Sequence, residues 1–278
     1  MNTIIDIETL ASHLNDSDWI ILDARFSLAD EHAGRHAYEE SHIPGAIYVD
    51  LNKQLSQAHI PGKTGRHPLP DPAQWAETVQ MLGIDPNKQV VVYDAAGGAM
   101  ASRAWWLLRW IGHDNVAVLN GGWQQWQARQ QPLSNAPAQS ALPAEHRYNT
   151  SDLQLDTLDA SQLLENDNLL IDARELPRFR GEIEPIDPVA GHIPNAVCMP
   201  FNENLDENGC FKDAHSLRSK FEQVTAGKSQ VVCYCGSGVT ACHNILAMKI
   251  AGLPEPALYP GSWSEWITDP KRPIATGE

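Results

Sequence analysis

Residues 231–246 have the sequence VVCYCGSGVTACHNIL, and this stretch decides the interpretation of the fold. Four residues that suit a buried strand lead into Cys235, a short loop follows, and helix-periodic apolar residues begin at Ile245. Gly236 and Gly238 allow a tight turn, so that the N–H groups of the loop point inward near the N-terminus of a helix. Such surroundings favour a thiolate. We therefore interpret Cys235 as a nucleophile.

Two other roles for Cys235 agree less well with the sequence. A metal site would have to use Cys233, Cys235, Cys242 and His243, whose spacing matches none of the common zinc motifs, so we expect no metal. A cysteine phosphatase would place an arginine six positions after its nucleophile, to bind the phosphoryl oxygens in a bidentate manner. That position is Ala241, which argues against a phosphatase.

The composition is that of an acidic globular protein. With 20 Lys and Arg against 35 Asp and Glu, the 278-residue chain has a formal net charge of −15, which argues against nucleic acid or an anionic membrane as a partner. The five cysteines are odd in number and unevenly spaced, which favours a reducing compartment. The N-terminal residues lack the basic and apolar regions of a secretory signal, and no apolar run has the length of a membrane span. We therefore expect a cytoplasmic protein.

The sequence contains a long internal repeat. Four landmarks recur in the same order, about 140 to 150 residues apart. The paired segments are 19–25 with 168–174, 42–46 with 192–196, 89–94 with 229–235, and 121–126 with 261–266. A repeat of this length predicts duplicated domains, which we place at 1–133 and 151–278, with a proline-rich linker over 134–150.

Within each copy, short apolar runs alternate with helix-periodic segments. This alternation predicts an α/β fold of tandem duplicated domains, each with a mainly parallel sheet and helices on both faces. Ligands of such sheets bind at the carboxyl ends of the strands, where Cys235 lies. The equivalent position in the first copy is Asp94, and residues 1–197 contain no cysteine. Only the second copy can therefore supply a catalytic thiol.

These features resemble the two-domain rhodanese family of sulfurtransferases. The resemblance rests on the Asp-Ala-Arg and His-Ile-Pro segments of both copies and on a loop cysteine in the second, and it covers essentially the whole chain. The loop at 235–240, CGSGVT, is similar to that of the family's 3-mercaptopyruvate sulfurtransferases. The thiosulfate:cyanide branch has arginine and lysine where this chain has Gly236 and Ser237.

The resemblance implies a persulfide mechanism without a metal or organic cofactor. Cys235 would take sulfur from 3-mercaptopyruvate and release pyruvate, while N–H groups of Gly236, Gly238, Val239 and Thr240 bind the charge on the outer sulfur. A small thiol, cyanide or a thioredoxin-like protein would then accept the sulfur. The implied partners are thus a small-molecule donor and acceptor, together with such a protein; the physiological acceptor and the oligomeric state are left open.

The resemblance also assigns roles outside the loop. Arg178 matches the arginine that binds the substrate's carboxylate, for which a guanidinium group is well suited. His67 and Ser237 match two members of a Ser-His-Asp group, in which the histidine can protonate an enolate leaving group. Either Asp50 or Asn52 stands at the position of the third member. We expect the first copy to contribute His67 to the site.

Some alternatives stay open at the level of sequence. Arg178 and Arg180 could instead be solvated charges that pair with Glu182 or Glu184. Asp187 stands where mercaptopyruvate enzymes often carry a second arginine, and it resembles the thiosulfate branch. The alternative functions are therefore thiosulfate:cyanide sulfurtransferase and, from a different class, a sulfur-carrier or redox-sensing module.

Overall fold

The computed structural model describes residues 3–138, 142–151, 153–164 and 168–278. The chain forms two compact units, each assembled from three segments. The first unit comprises Met1–Gln57, Pro70–Leu155 and Glu207–Phe211, and the second comprises Ala58–Leu69, Asp156–Asp206 and Lys212–Glu278.

The segment Ala58–Leu69 belongs to the second unit, although it lies within the first repeat of the sequence. It therefore brings His67 into the unit that contains Cys235. The domain boundaries that we placed around 134–150 remain predictions, and residues 139–141 of that linker lie outside the described residues.

The first unit is built on a five-stranded parallel sheet with strand order β1-β5-β4-β2-β3. Its strands are β1 (Ile4–Ile5), β2 (Trp19–Asp23), β3 (Ile47–Tyr48), β4 (Gln89–Tyr93) and β5 (Val116–Leu119). Its helices are α1 (Ile7–Ser12), α2 (Ala33–Glu40), α3 (Pro72–Met81), α4 (Ala101–Trp110) and α5 (Gly122–Ala128).

The second unit repeats this arrangement with a four-stranded parallel sheet of order β7-β6-β8-β9. Its strands are β6 (Leu169–Asp172), β7 (Ala196–Cys198), β8 (Val231–Tyr234) and β9 (Ala257–Leu258). Its helices are α6 (Leu176–Phe179), α7 (Ala214–Thr225), α8 (Ala241–Ile250) and α9 (Ser262–Trp266), with short 3₁₀ turns at Ala160–Gln162 and Phe201–Asn204. A parallel bridge between Thr157 and Leu258 occupies the position of the β1–β5 pairing. The predicted duplication of parallel α/β sheets is confirmed.

Each sheet has its own apolar core, and equivalent residues form both. Tyr93 and Trp126 lie in the core of the first unit, and Tyr234 and Trp266 lie in that of the second. The strands are nearly continuous apolar runs because a parallel sheet in such a fold is covered on both faces. Polar side chains are therefore confined to the strand ends.

The described helices begin in two ways: three are capped by an aspartate side chain, and the others, which include the two that follow the central strands, are not. The side chains of Asp6, Asp71 and Asp213 accept N–H groups at the starts of α1, α3 and α7. In contrast, α4 and α8 have no side chain of this kind at the N-cap position. Their first N–H groups face the loops that precede them and can bind an anion there.

No helix among the described residues is both long enough and apolar enough to cross a membrane.

Candidate active site

Cys235 lies directly after β8, at the carboxyl end of the second sheet, and is 2% exposed. Its Sγ accepts hydrogen bonds from the N–H groups of Gly238 at 3.2 Å and Ser237 at 3.5 Å. Its own N–H donates to Ser262 Oγ at 3.0 Å, and its carbonyl accepts from the N–H of Trp263 at 3.0 Å. The strand end and the first turn of α9 thus hold the sulfur in a fixed position.

Gly238 is required by the shape of this loop. Its φ angle is +76°, in the left-handed region that opposes a side chain. A Cβ at this position would also lie 2.3 Å from the carbonyl oxygen of Pro260. The glycine therefore lets the backbone approach Pro260 while its N–H points at the sulfur.

Further N–H groups follow along the loop. Those of Val239, Thr240 and Ala241 have no hydrogen-bond acceptor among the described residues. They belong to the turn before α8 and to its first residue, where the helix dipole adds partial positive charge. The loop can therefore bind more negative charge than the Cys235 sulfur alone, for example on a second sulfur atom.

The first unit contains the same kind of loop with an anion built into the chain. Asp94 follows β4 as Cys235 follows β8, and it is 1% exposed. Its carboxylate accepts four backbone N–H groups, from Ala96 at 2.8 Å, Gly98 at 2.9 Å, Met100 at 2.7 Å and Ala101 at 2.8 Å. The repeat thus shows that a loop of this design can bind an anion at the position that Cys235 takes in the second unit.

Two of the other cysteines are poorly suited to nucleophilic chemistry. Burial raises the pKa of the Cys233 thiol, and the neighbouring Cys242 and Cys235 add to the effect. Burial and the nearby Asp172 raise the pKa of Cys198 to about 12. Both thiols therefore remain protonated at neutral pH.

His67 contacts the cysteine loop through Ser237. Its Nδ1 lies 2.8 Å from Ser237 Oγ, and both side chains are buried. The hydroxyl can donate to Nδ1 or accept from it, depending on the imidazole tautomer. Asp50 accepts the N–H of Asn52 at 2.9 Å, and the support of His67 by either residue stays a prediction.

Arg178 extends from α6 into a buried ion-pair network. Its guanidinium donates to Glu184 Oε1 at 2.6 Å and Oε2 at 3.1 Å, and its side chain is 14% exposed. Burial alone would raise the pKa of Glu184, but hydrogen bonds from Arg178 and from the N–H groups of Asp187 and Ile186 outweigh it and lower the pKa. The pairing with Glu184 that we considered from the sequence is present, but it is buried rather than solvated.

The side chain of Arg66 is a second guanidinium group at the loop, and no motif in the sequence predicted it there. It pairs with Asp187, which also lies 3.4 Å from Arg178. A Cβ on Gly236 would lie 2.8 Å from Arg66 Nη2 and 3.7 Å from both terminal nitrogens of Arg178. The absence of a side chain at Gly236 therefore lets two guanidinium groups approach the cysteine loop closely. Arg66 Nε is buried and has no hydrogen-bond partner among the described residues.

The Asp-Ala-Arg segment that is repeated in the two copies has a structural role. Arg174 donates to Asp172 at 2.7 Å and to the carbonyl of Gly191 at 2.8 Å, and the pair Arg25–Asp23 does the same at 2.6 Å in the first unit. These internal ion pairs fix the loops after β2 and β6.

Ser262 was not predicted as a site residue, although a comparison of the two copies of the repeat points to it. Its counterpart in the first unit is Gly122, where a Cβ would lie 2.5 Å from the Asp94 carbonyl. In the second unit this position carries a serine, whose Oγ accepts the N–H of Cys235. A glycine-to-serine difference between the copies therefore marks a residue that binds the backbone of Cys235.

The rhodanese-like domain family matches the chain twice, over residues 6–129 and 156–269. The chain belongs to the rhodanese-like family. The two matched ranges coincide with the two copies found in the sequence, so the resemblance drawn there is confirmed.

The curated relatives of this rhodanese-like chain are named after one of two sulfur donors, 3-mercaptopyruvate or thiosulfate. A protein of Pseudomonas aeruginosa named "Probable 3-mercaptopyruvate sulfurtransferase" is 48% identical over 99% of this chain and 98% of its own length. The thiosulfate sulfurtransferase of Gallus gallus is 35% identical over 89% of this chain and 86% of its own length. Both are sulfurtransferases, and the interpretation of this chain as a sulfurtransferase is confirmed.

A solved structure supports the same assignment. The 3-mercaptopyruvate sulfurtransferase from Leishmania major superposes with a TM-score of 0.85 at 32% identity, covering 95% of this chain and 74% of that one. The rhodanese-like fold is therefore shared along nearly the full length of the described chain.

Proposed function

We propose that this rhodanese-like protein is a 3-mercaptopyruvate sulfurtransferase that uses Cys235 as its nucleophile. The observation that carries the proposal is the position of Gly236. Gly236 directly follows Cys235, whose Sγ accepts N–H groups of the loop, and it lies close to the guanidinium groups of Arg66 and Arg178. A donor whose carboxylate is bound by guanidinium groups can thereby present its sulfur to the adjacent thiolate.

The first half-reaction is a displacement at sulfur. The Cys235 thiolate attacks the thiol sulfur of 3-mercaptopyruvate, the new S–S bond forms, and the C–S bond breaks. The bonding electrons pass to the carbon fragment, which leaves as the enolate of pyruvate and takes up one proton at carbon. The enzyme is left with a Cys235 persulfide. The free N–H groups of Val239 and Thr240 lie where the charge of its outer sulfur can be stabilised.

Ser237 and His67 supply the proton. When Nδ1 carries the proton, His67 donates to Ser237 Oγ, so the Ser237 hydroxyl hydrogen can be donated to the departing enolate while the imidazole replaces it. Such a pair is useful for a carbon leaving group and unnecessary for sulfite, which leaves as a stable anion. This difference favours mercaptopyruvate as the donor.

In the second half-reaction an acceptor thiolate attacks the outer sulfur of the persulfide. The S–S bond breaks, the acceptor leaves as a persulfide, and Cys235 returns as a thiolate. We propose a reduced thioredoxin-like protein or a small thiol as the acceptor, in a reducing cytoplasm. All five cysteines lie among the described residues and none of them forms a disulfide, which agrees with such a compartment.

The test is a comparison of kcat/KM for pyruvate release from 3-mercaptopyruvate and for thiocyanate formation from thiosulfate and cyanide. We expect a clear preference for mercaptopyruvate, loss of both activities in Cys235→Ser, and near-normal activity in the matched control Cys198→Ser. Intact mass after reaction with mercaptopyruvate should show one added sulfur atom in the wild type and none in Cys235→Ser.

The same measurements distinguish the two alternative functions, a thiosulfate sulfurtransferase and a sulfur carrier. A higher kcat/KM with thiosulfate would identify a thiosulfate sulfurtransferase, to which the two guanidinium groups could also offer a dianion site. A single added sulfur without turnover would identify a sulfur carrier.

A further inference from the structure

Ser264 connects the cysteine loop to the segment that carries His67. Its side chain is buried, and its Oγ accepts the N–H of Arg66 at 3.1 Å. Its own N–H donates to the carbonyl oxygen of Gly236 at 2.9 Å. A single residue of α9 therefore binds both the residue before His67 and the residue after Cys235.

The hydroxyl group of Ser264 is oriented for this contact. Its Oγ accepts the Arg66 N–H and lies 3.4 Å from the carbonyl oxygen of Gly261, to which the hydroxyl donates. A hydroxyl has one hydrogen to donate and two acceptor lone pairs, so both hydrogen bonds can be present together. The N–H of Arg66 is thereby bound to a side chain whose position is fixed by the start of α9.

Gly65 shows how closely the segment approaches α9. A Cβ at Gly65 would lie 2.4 Å from the carbonyl oxygen of Gly261 and 3.1 Å from Ser264 Oγ. A side chain at this position would therefore push the segment away from the start of the helix. The missing side chain at Gly65 and the hydroxyl group of Ser264 thus serve the same contact.

The first unit takes up a segment of the other repeat as well, but holds it through different residues. This segment is Glu207–Phe211, and its last residue donates its N–H to Asn120 Oδ1 at 2.8 Å. The counterpart of Ser264 in the first copy is Gln124, whose Nε2 donates to the carbonyl oxygen of Ala95 in its own loop. The link that Ser264 makes is therefore a feature of the copy that contains the cysteine loop.

We propose that Ser264 is a positioning residue that holds His67 at Ser237 by binding the backbone of Arg66. This inference rests on the proposed function, in which Ser237 and His67 protonate the departing enolate. His67 Nδ1 lies 2.8 Å from Ser237 Oγ, and proton transfer between them requires that the segment stays within hydrogen-bond reach of the loop. Ser264 acts through the backbone of the segment and takes no part in the chemical step.

The test changes the contact from both sides, with Ser264→Ala and Gly65→Ala. Ser264→Ala removes the hydroxyl and keeps the backbone N–H, so we expect kcat for pyruvate release from 3-mercaptopyruvate to fall about fivefold to tenfold, as for one lost hydrogen bond, with KM little changed. Gly65→Ala should lower kcat by about 100-fold, because the whole segment is displaced. In a His67→Asn background Ser264→Ala should have no further effect. Gln124→Ala is the matched control from the first copy and should keep the wild-type kcat.

Two further measurements separate positioning from a general loss of structure. The amide hydrogen of Arg66 should exchange with solvent faster in Ser264→Ala, which hydrogen-exchange mass spectrometry detects in a peptide over residues 58–69, while a peptide over 231–240 should exchange as in the wild type. The rate at which iodoacetamide alkylates Cys235 should stay close to the wild-type rate, because alkylation needs no proton from His67.

Each other result has a defined meaning. An unchanged kcat in both variants, unchanged exchange at Arg66, or an equal fall in kcat and in the alkylation rate would overturn the inference. The same holds if Ser264→Ala lowers kcat equally with and without His67, since the hydroxyl would then act independently of the histidine. If neither variant folds by thermal unfolding, the contact is structural and the inference is also overturned. A wild type that releases no pyruvate would instead contradict the proposed function, and the exchange at Arg66 would still decide whether Ser264 holds the segment.

Discussion

The Nδ1 atom of His67 lies 2.8 Å from the Oγ atom of Ser237, although the two residues are 170 positions apart in the chain. The contact is buried, so the hydroxyl has a fixed partner and a defined orientation. In the proposed mechanism, this contact places a proton-transfer pair on the loop of Cys235, two residues after the proposed nucleophile. This relationship gives the first prediction.

Loss of this pair should affect the two donors differently. We expect Ser237→Ala and His67→Asn each to lower kcat with 3-mercaptopyruvate by about 100-fold, because the enolate then leaves without an oriented proton donor. The thiosulfate reaction should change much less, since sulfite needs no proton at carbon. The double variant should be little worse than either single variant, which a double-mutant cycle measures. Equal losses with both donors would indicate a structural role for the pair.

Arg178 should act on donor binding more than on the chemical step. We expect Arg178→Gln to raise KM for 3-mercaptopyruvate by about 10- to 100-fold, which corresponds to the loss of a charge-assisted hydrogen bond. Arg180→Gln is the control, because Arg180 lies two residues away and pairs with the exposed Glu278 at 2.6 Å. Steady-state kinetics on both variants checks the prediction. A similar rise in KM in Arg180→Gln would mean that the effect is one of overall charge.

Gly238 and Gly227 allow backbone strain to be separated from steric conflict. Their φ angles are +76° and +75°, but a Cβ would lie 2.3 Å from the Pro260 carbonyl at Gly238 and would meet nothing within 4 Å at Gly227. Gly227→Ala should cost about 1–2 kcal/mol of unfolding free energy, the usual cost of a left-handed alanine. Gly238→Ala should cost clearly more and should lower activity, because the loop has to move away from Pro260. Chemical denaturation of both variants measures the difference, and equal costs would contradict the predicted clash.

Asp94 should stabilise the first unit as the internal anion of its loop. In Asp94→Asn the amide oxygen can still accept two of the four backbone N–H groups. The amide NH₂ group faces the other two, which are also hydrogen-bond donors, so those contacts are lost. We therefore expect Asp94→Asn and Asp94→Ala both to lower the free energy of unfolding by about 2–5 kcal/mol. The specific activity of the folded protein should stay close to that of the wild type. A stability loss below about 1 kcal/mol in both variants would contradict this role.

The lowered pKa of Glu184 predicts the pH range in which its ion pair matters. Because the folded-state pKa is below the ordinary value of 4.5, the stabilisation is present above that value and is lost as the pH falls through the lowered pKa. The difference in unfolding free energy between wild type and Glu184→Gln should therefore be constant from pH 6 to 8 and should shrink below about pH 5. Glu182→Gln should show no such trend. A difference that changes between pH 6 and 8 would assign the effect to another group.

Features that are local in sequence could be predicted from the sequence alone. The alternation of apolar strands with helix-periodic segments and the repeated landmarks predicted two parallel α/β sheets. The turn that follows Val231–Tyr234 was predicted in the same way, because glycines permit the left-handed conformation that Gly238 adopts. Cys235 was therefore recognisable as the loop cysteine.

Only the tertiary structure decided which distant side chains surround that loop. Ala58–Leu69 joins the second compact unit, and with it Arg66 comes to Gly236 and Asp187, over 100 residues away in the chain. No local periodicity encodes such contacts, since the buried charges are arranged by the packing of segments and stabilise one another only once they are removed from water. For the same reason Asp187, which in sequence suggested a missing arginine, proved in the structure to be the counter-ion of two arginines.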